Sequence, residues 1–160
     1  MTGCQPQADL ATGSISLTTG CNREACMSTT TTTLDGIQDE LRRFGSVAYL
    51  VTTTDSGAPH CVSVTVQATD DLLVVAPGNQ SLANASRHDR VTLLWPPKRW
   101  GEHSLIIDGQ VQSATGTGHG DNRITLRPTR AVLHPTINPG DGLPTPSGCV
   151  LLYERSNAAG

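Results

Sequence analysis

The sequence predicts a mainly β domain, a barrel or sandwich of six to seven antiparallel strands with two short helices. Three observations carry this. Short β-branched and apolar runs recur at close spacing between about Leu34 and Arg155. Turn residues separate them, and only two segments carry apolar residues at helical spacing. Many short strands favour a barrel or sandwich over a parallel sheet. The 160 residues suit a single domain with a modest core. Apolar residues make up only 36%, and the deficit lies in the first 33 residues and in a Pro/Gly stretch near the end. With one Phe, two Tyr and two Trp, the core must be built from Val, Leu, Ile and Ala.

In chain order, residues 1–33 are rich in Thr, Ser and Gly, a composition that buries too little surface to offset chain entropy and reads as a disordered tail. Met27 precedes the Ser28–Thr33 run and is a candidate start. Leu34–Phe44 places Leu34, Ile37, Leu41 and Phe44 at helical spacing, with Thr33 or Asp35 as cap and Gly45 as stop. Ser46–Thr54 is a first strand, and Asp55–Pro59 a turn. His60–Ala68 alternates Val62, Val64 and Val66 with Cys61, Ser63, Thr65 and Gln67, the pattern of a half-buried hairpin strand. Leu72–Ala76 is apolar on both faces. After the break at Pro77–Gln80, Ser81–His88 reads as a short helix capped by Ser81. Arg90–Trp95, His103–Ser113, Arg123–His134 and Cys149–Glu154 complete the strands. A bulge is expected at Asp108-Gly109, and Pro128 must occupy an edge or a kink. Residues 156–160 read as a C-terminal tail.

Several function classes are disfavoured. The net charge is −3 and no basic stripe is interleaved with aromatics, so nucleic acid is not expected as a partner. No apolar run approaches the roughly 20 residues that span a bilayer, and the N-terminus lacks the pattern of a secretory signal. A cytoplasmic protein without a membrane partner is the expectation. Cys4, Cys21, Cys26, Cys61 and Cys149 form no disulfide framework and no zinc spacing, so free thiols and no metal are expected. His103 and His134 have no metal-like partners in sequence, and the adjacency of His60 and Cys61 implies no activated thiol.

The most informative segment is Val74–Val91, VVAPGNQSLANASRHDRV. A buried strand runs into Gly78 and then a helix start, where unpaired N–H groups and a partial positive charge form an anion site. Ser81 either caps its own helix or adds a hydroxyl to a bound phosphate. Here the chain resembles the pyridoxamine 5'-phosphate oxidase-like split β-barrels. The resemblance rests on the turn DSGAPH, the strands HCVSVTV and LLVVA, the segment GNQSLANASRHDRVTLLW, and the motifs WPP and SLIIDG, in that order over about Leu34 to Val132.

That resemblance implies a homodimer with flavin at the subunit interface, FMN being the usual cofactor and a deazaflavin an alternative. The isoalloxazine ring would lie along Cys61–Val66, near Ser63 and Thr65. His60, at the start of that strand, either lines the ligand cleft or is an ordinary turn-end residue. The phosphate would meet Gly78, Asn79, Ser81 and Asn84. The family usually supplies Arg or Lys on this loop and first turn, whereas Asn79–Ala83 carries no charge and the turn offers Ala58. Arg87, Arg90, Lys98 and Arg99 are the substitutes at hand, with Arg87 and Lys98 leading. Trp95 and Trp100 either cover a flat ring or close the barrel end or dimer seam. The expected function is FMN-dependent oxidation or reduction of an unidentified small molecule. The rivals are a split-barrel binder or sensor with weak or no flavin binding, and a deazaflavin-dependent reductase.

Overall fold

The computed structural model describes residues 35–99, 101–117, 120–136 and 149–155. The elements run α1 (Asp35–Phe44), β1 (Val47–Thr53), β2 (Pro59–Thr69), β3 (Leu72–Ala76), α2 (Asn79–Arg87), β4 (Arg90–Trp95), β5 (His103–Thr115), β6 (Arg123–Pro135) and β7 (Val150–Glu154). The predicted tails, Met27, the three cysteines of the N-terminal segment and Trp100 lie outside the described residues.

All pairings are antiparallel, in the order β3-β2-β1-β4-β5-β6-β7, and β3 also pairs with β6. Six strands thus close into a barrel, and β7 is added outside the ring on β6. The ring is made of two meanders. β1–β3 are zipped along their length, as are β4–β6. The halves meet at two seams of three residue pairs each, Tyr49–Val51 against Thr92–Leu94 and Leu73–Val75 against Ile124–Leu126.

The period-2 pattern of the strands fills the interior. Ala48, Leu50, Val64, Val66, Leu73, Val75, Val91, Leu93, Leu105, Ile107, Ile124 and Leu126 are buried, while alternate residues point outward. The near absence of aromatic volume is met by branched aliphatics, with Trp95 as the largest fully buried side chain. Trp95 lies at one barrel end, where α1 sits. Its Nε1 donates to the Gly45 carbonyl at 2.9 Å, and Ile37 of α1 joins the same core. Gly45 stops α1 at φ +95°, a conformation open to glycine, with its N–H on the Leu41 carbonyl. Of the two readings of Trp95, the structure supports closure of the barrel end.

β6 explains the proline in its middle. Its first half pairs with β3 and its second half with β7, and Pro128 falls between the two. At that position the missing N–H breaks no ladder bond on that edge. The bulge expected at Asp108-Gly109 is present, and its extra residue is Thr129, whose hydroxyl donates to the Asp108 carbonyl.

One boundary differs from expectation. α2 begins at Asn79 with Gly78 as N-cap, and no side chain caps it. Ser81 is therefore not the cap. It is the third helical residue and faces the core, because the extended backbone at Gly78 already turns the chain into the helix.

Candidate functional site

α2 covers the barrel end opposite α1, and it does so with polar contacts. Asn84 is wholly buried; its Nδ2 donates to Thr52 Oγ1 at 3.0 Å, and its Oδ1 accepts from Gln80 Nε2 at 2.9 Å. Thr52 is also buried and reaches the His60 carbonyl. At the amino end of the helix, Asn79 Oδ1 accepts from Nδ2 of the buried Asn122 at 2.8 Å. A Cβ on Gly116 would lie 2.3 Å from Asn122 Oδ1, so the β5–β6 loop packs tightly against this residue. At the carboxyl end, Arg87 and His88 both approach the Asp55 carboxylate of the β1–β2 turn.

This polar seal leaves two kinds of group without partners among the described residues. The Ser81 hydroxyl is shut off from solvent and makes no hydrogen bond. The amides of Asn79, Gln80 and Ser81 precede the first intrahelical bond, from Leu82 N–H to the Gly78 carbonyl, and no side chain caps them.

Beside this helix start the sheet has an open edge. β3 pairs with β2 only from Thr65 onward, so Pro59–Val64 have no strand neighbour on that side among the described residues. The Val66 amide donates to the Ser46 carbonyl. By the alternation of an antiparallel ladder, the amides of Cys61 and Ser63 then point to the uncovered edge. The outer face here joins small polar residues to apolar ones. Ser63 and Thr65 lie directly across from Tyr49 and Val47, which are 45% and 61% exposed. At the end of this face a recess of about 80 Å³ is lined by Thr65, Gln67, Ala76 and Arg123, among others. Arg123 follows Asn122, so it stands next to the amino end of α2, and it makes no ion pair among the described residues.

The predicted site residues therefore divide into groups. Ser63 and Thr65 share the outer face, and Gly78 and Asn79 are exposed at the helix start. Ser81 and Asn84 face the core, and His60 is half-buried opposite Thr52. Arg87 is exposed and paired with Asp55 at 2.8 Å. Lys98 donates to the Arg43 carbonyl at the α1 end. These two cations lie near opposite ends of β1, whose seven residues span about 23 Å, so one chain cannot bring both to one phosphate. Two residues enter that sequence reasoning passed over. Tyr49 carried a signal, as the lone aromatic in the outward phase of its strand. Arg123 carried none, because only the β3–β6 seam brings it beside α2.

A larger hollow of about 730 Å³ opens on the outer face of β1, β4, β5, β6 and β7, where Val51 borders Thr92, Asp108, Gln110 and Arg130. Asp108 accepts from Thr92 Oγ1 at 2.8 Å and approaches Arg130 at 3.5 Å. Its charges are balanced, with three arginines and three acidic residues in the lining. It is a polar groove, and it does not include the helix start.

No protein-family model matches the chain. Uncharacterized proteins of Mycobacterium bovis and Mycobacterium tuberculosis are each 31% identical over 116 residues, 64% of this chain and 80% of the relative. The chain belongs to one family with them. Among solved structures, a protein of Clostridium acetobutylicum related to general stress protein 26 (pyridoxinephosphate oxidase family) aligns with a TM-score of 0.55 at 6% identity. That alignment covers 77% of this chain and 96% of that one. A candidate pyridoxamine 5'-phosphate oxidase from Listeria innocua aligns at 0.51 and 17% identity, covering 62% and 95%. The fold is the pyridoxamine 5'-phosphate oxidase-like split barrel. The split corresponds to the two short seams, and the helix between the half-sheets is α2. No helix among the described residues is long and apolar enough to cross a membrane.

Proposed function

We propose that this split barrel is a cytoplasmic, FMN-dependent oxidoreductase for a small molecule and works as a homodimer. The observation that carries the reading is the uncapped start of α2 beside Arg123. Amides and a guanidinium without partners among the described residues, together with a positive helix end, suit a phosphate. Arg123 answers the lack of charge in Asn79–Ala83. A charge-assisted bond to phosphate contributes about 1.5–3 kcal/mol, or roughly ten- to a hundredfold in affinity.

The rest of the cofactor has a matching surface. Tyr49 and Val47 offer apolar area for a flat ring, and Ser63, Thr65 and the open-edge amides offer hydrogen bonds at its rim. The recess of one chain is far below the roughly 300 Å³ of an ordinary small-molecule site. A second copy laid over the exposed Tyr49–Val47 face would supply the missing wall and exclude water. Bound there, FMN would supply two-electron hydride chemistry, and the protein would hold and orient it. The uncharged first turn favours one rival, a split-barrel binder or sensor with weak or no flavin binding, over the other, a deazaflavin-dependent reductase.

Titration of the purified protein with FMN, followed by flavin fluorescence, tests the reading. Saturable binding at one flavin per chain, with a dimer in light scattering, is the expected outcome. A stable monomer with no FMN binding would overturn it, and the same titration with a deazaflavin separates the two rivals.

A further inference from the structure

Outside this site, a nucleophile and a base meet at the far edge of the sheet. Leu133 of β6 pairs with Val150 of β7, and one step beyond that last pair His134 Nδ1 lies 3.1 Å from Cys149 Sγ. We infer that Cys149, assisted by His134, is a thiol modification site that exchanges with low-molecular-weight disulfides.

The geometry is that of an activated nucleophile, a sulfur within hydrogen-bond reach of an imidazole nitrogen. In the tautomer that carries its proton on Nε2, Nδ1 accepts the thiol proton as the sulfur attacks. His134 is exposed and Cys149 is partly exposed, so a small disulfide reaches the pair from solvent. Cys61 offers an internal contrast. It is exposed near the start of β2, on the outward face, and has no imidazole on its sulfur among the described residues.

The step balances without a further reagent. Cys149 Sγ forms a bond to one sulfur of the disulfide, and the original S–S bond breaks. The departing thiolate takes the proton that His134 removed from Cys149. Cys149 is oxidised to a mixed disulfide while half of the reagent is reduced to a free thiol. The adduct would sit at the entry to β7, which among the described residues pairs only with β6, over four residue pairs.

The test is peptide-resolved alkylation of the full chain with iodoacetamide at pH 7, read by mass spectrometry after trypsin, which places Cys61 and Cys149 on separate peptides that hold no other cysteine. Cys149 is expected to react about tenfold faster than Cys61. His134→Ala and His134→Gln should each bring it down to the Cys61 rate, with an unchanged melting temperature because His134 is exposed. Oxidised glutathione should add one glutathione to the Cys149 peptide, reversibly with dithiothreitol. A Cys149 rate indifferent to both substitutions, or no adduct under excess oxidised glutathione, would overturn the inference.

Discussion

The two ends of this barrel are closed by helices in opposite ways. At the α1 end the seal is apolar. Ile37 and Trp95 are buried together, and the one polar group on the indole is satisfied by the Gly45 carbonyl. At the α2 end the seal is polar, built on Asn84, Thr52, Gln80, Asn79 and Asn122, and it leaves a buried hydroxyl and a row of amides without partners among the described residues. A buried polar group without a partner costs about 1–3 kcal/mol, so a sequence under selection for stability alone would fill the second end as it fills the first. The contrast places the apolar, stabilising contacts at the α1 end and supports the ligand site proposed for the α2 end.

Four substitutions would break or sharpen that division. Trp95→Ala should have the largest effect, a loss of about 3–5 kcal/mol in chemical denaturation, because it empties the largest buried side chain. The FMN affinity of the molecules that remain folded should not change. Asn84→Ala should cost about 1–3 kcal/mol, since it removes the buried hydrogen bond to Thr52 and the bond from Gln80, and a loss as large as that of Trp95→Ala would erase the difference between the ends. Arg123→Ala should leave stability within about 0.5 kcal/mol yet weaken FMN binding roughly ten- to a hundredfold, which isothermal titration would read. Ser81→Ala should raise stability by about 1 kcal/mol by removing the orphaned hydroxyl. A loss of stability there would mean that the hydroxyl is not an orphan.

The strands were legible in the sequence, because alternation over Val62–Val66 and turn chemistry at Asp55–Pro59 are local signals. The bulge at Asp108 and the awkward place of Pro128 were legible for the same reason. The helix start was displaced by two residues, since Ser81 has the chemistry of a cap but the phase of a core residue. The cations were the least legible. Arg87 and Lys98 are close to α2 along the chain, yet one is engaged by Asp55 and the other lies at the opposite barrel end. Arg123 lies far along the chain and next to the helix in space, an adjacency that only closure of the ring creates. Likewise Cys149 and His134 were read singly, and their meeting depends on the register of β7 on β6.

The two seams also bear on how the barrel is made. Residues 47–76 form one meander and residues 90–135 the other, so nearly all pairing is between neighbours in sequence. Loop closure over long distances is needed only for the six residue pairs of the seams. Each half can zip early and wait for the other, which lowers the effective contact order of a closed β ring. In native-state hydrogen exchange the seam amides would open as a group at lower free energy than those inside either meander, so the barrel would breathe by parting along its joints. One of those joints, between β3 and β6, adjoins Arg123 and the start of α2. A ligand bound there would act as a clasp, and its first detectable effect would be slower exchange at the seam amides of Val75 and Ile124.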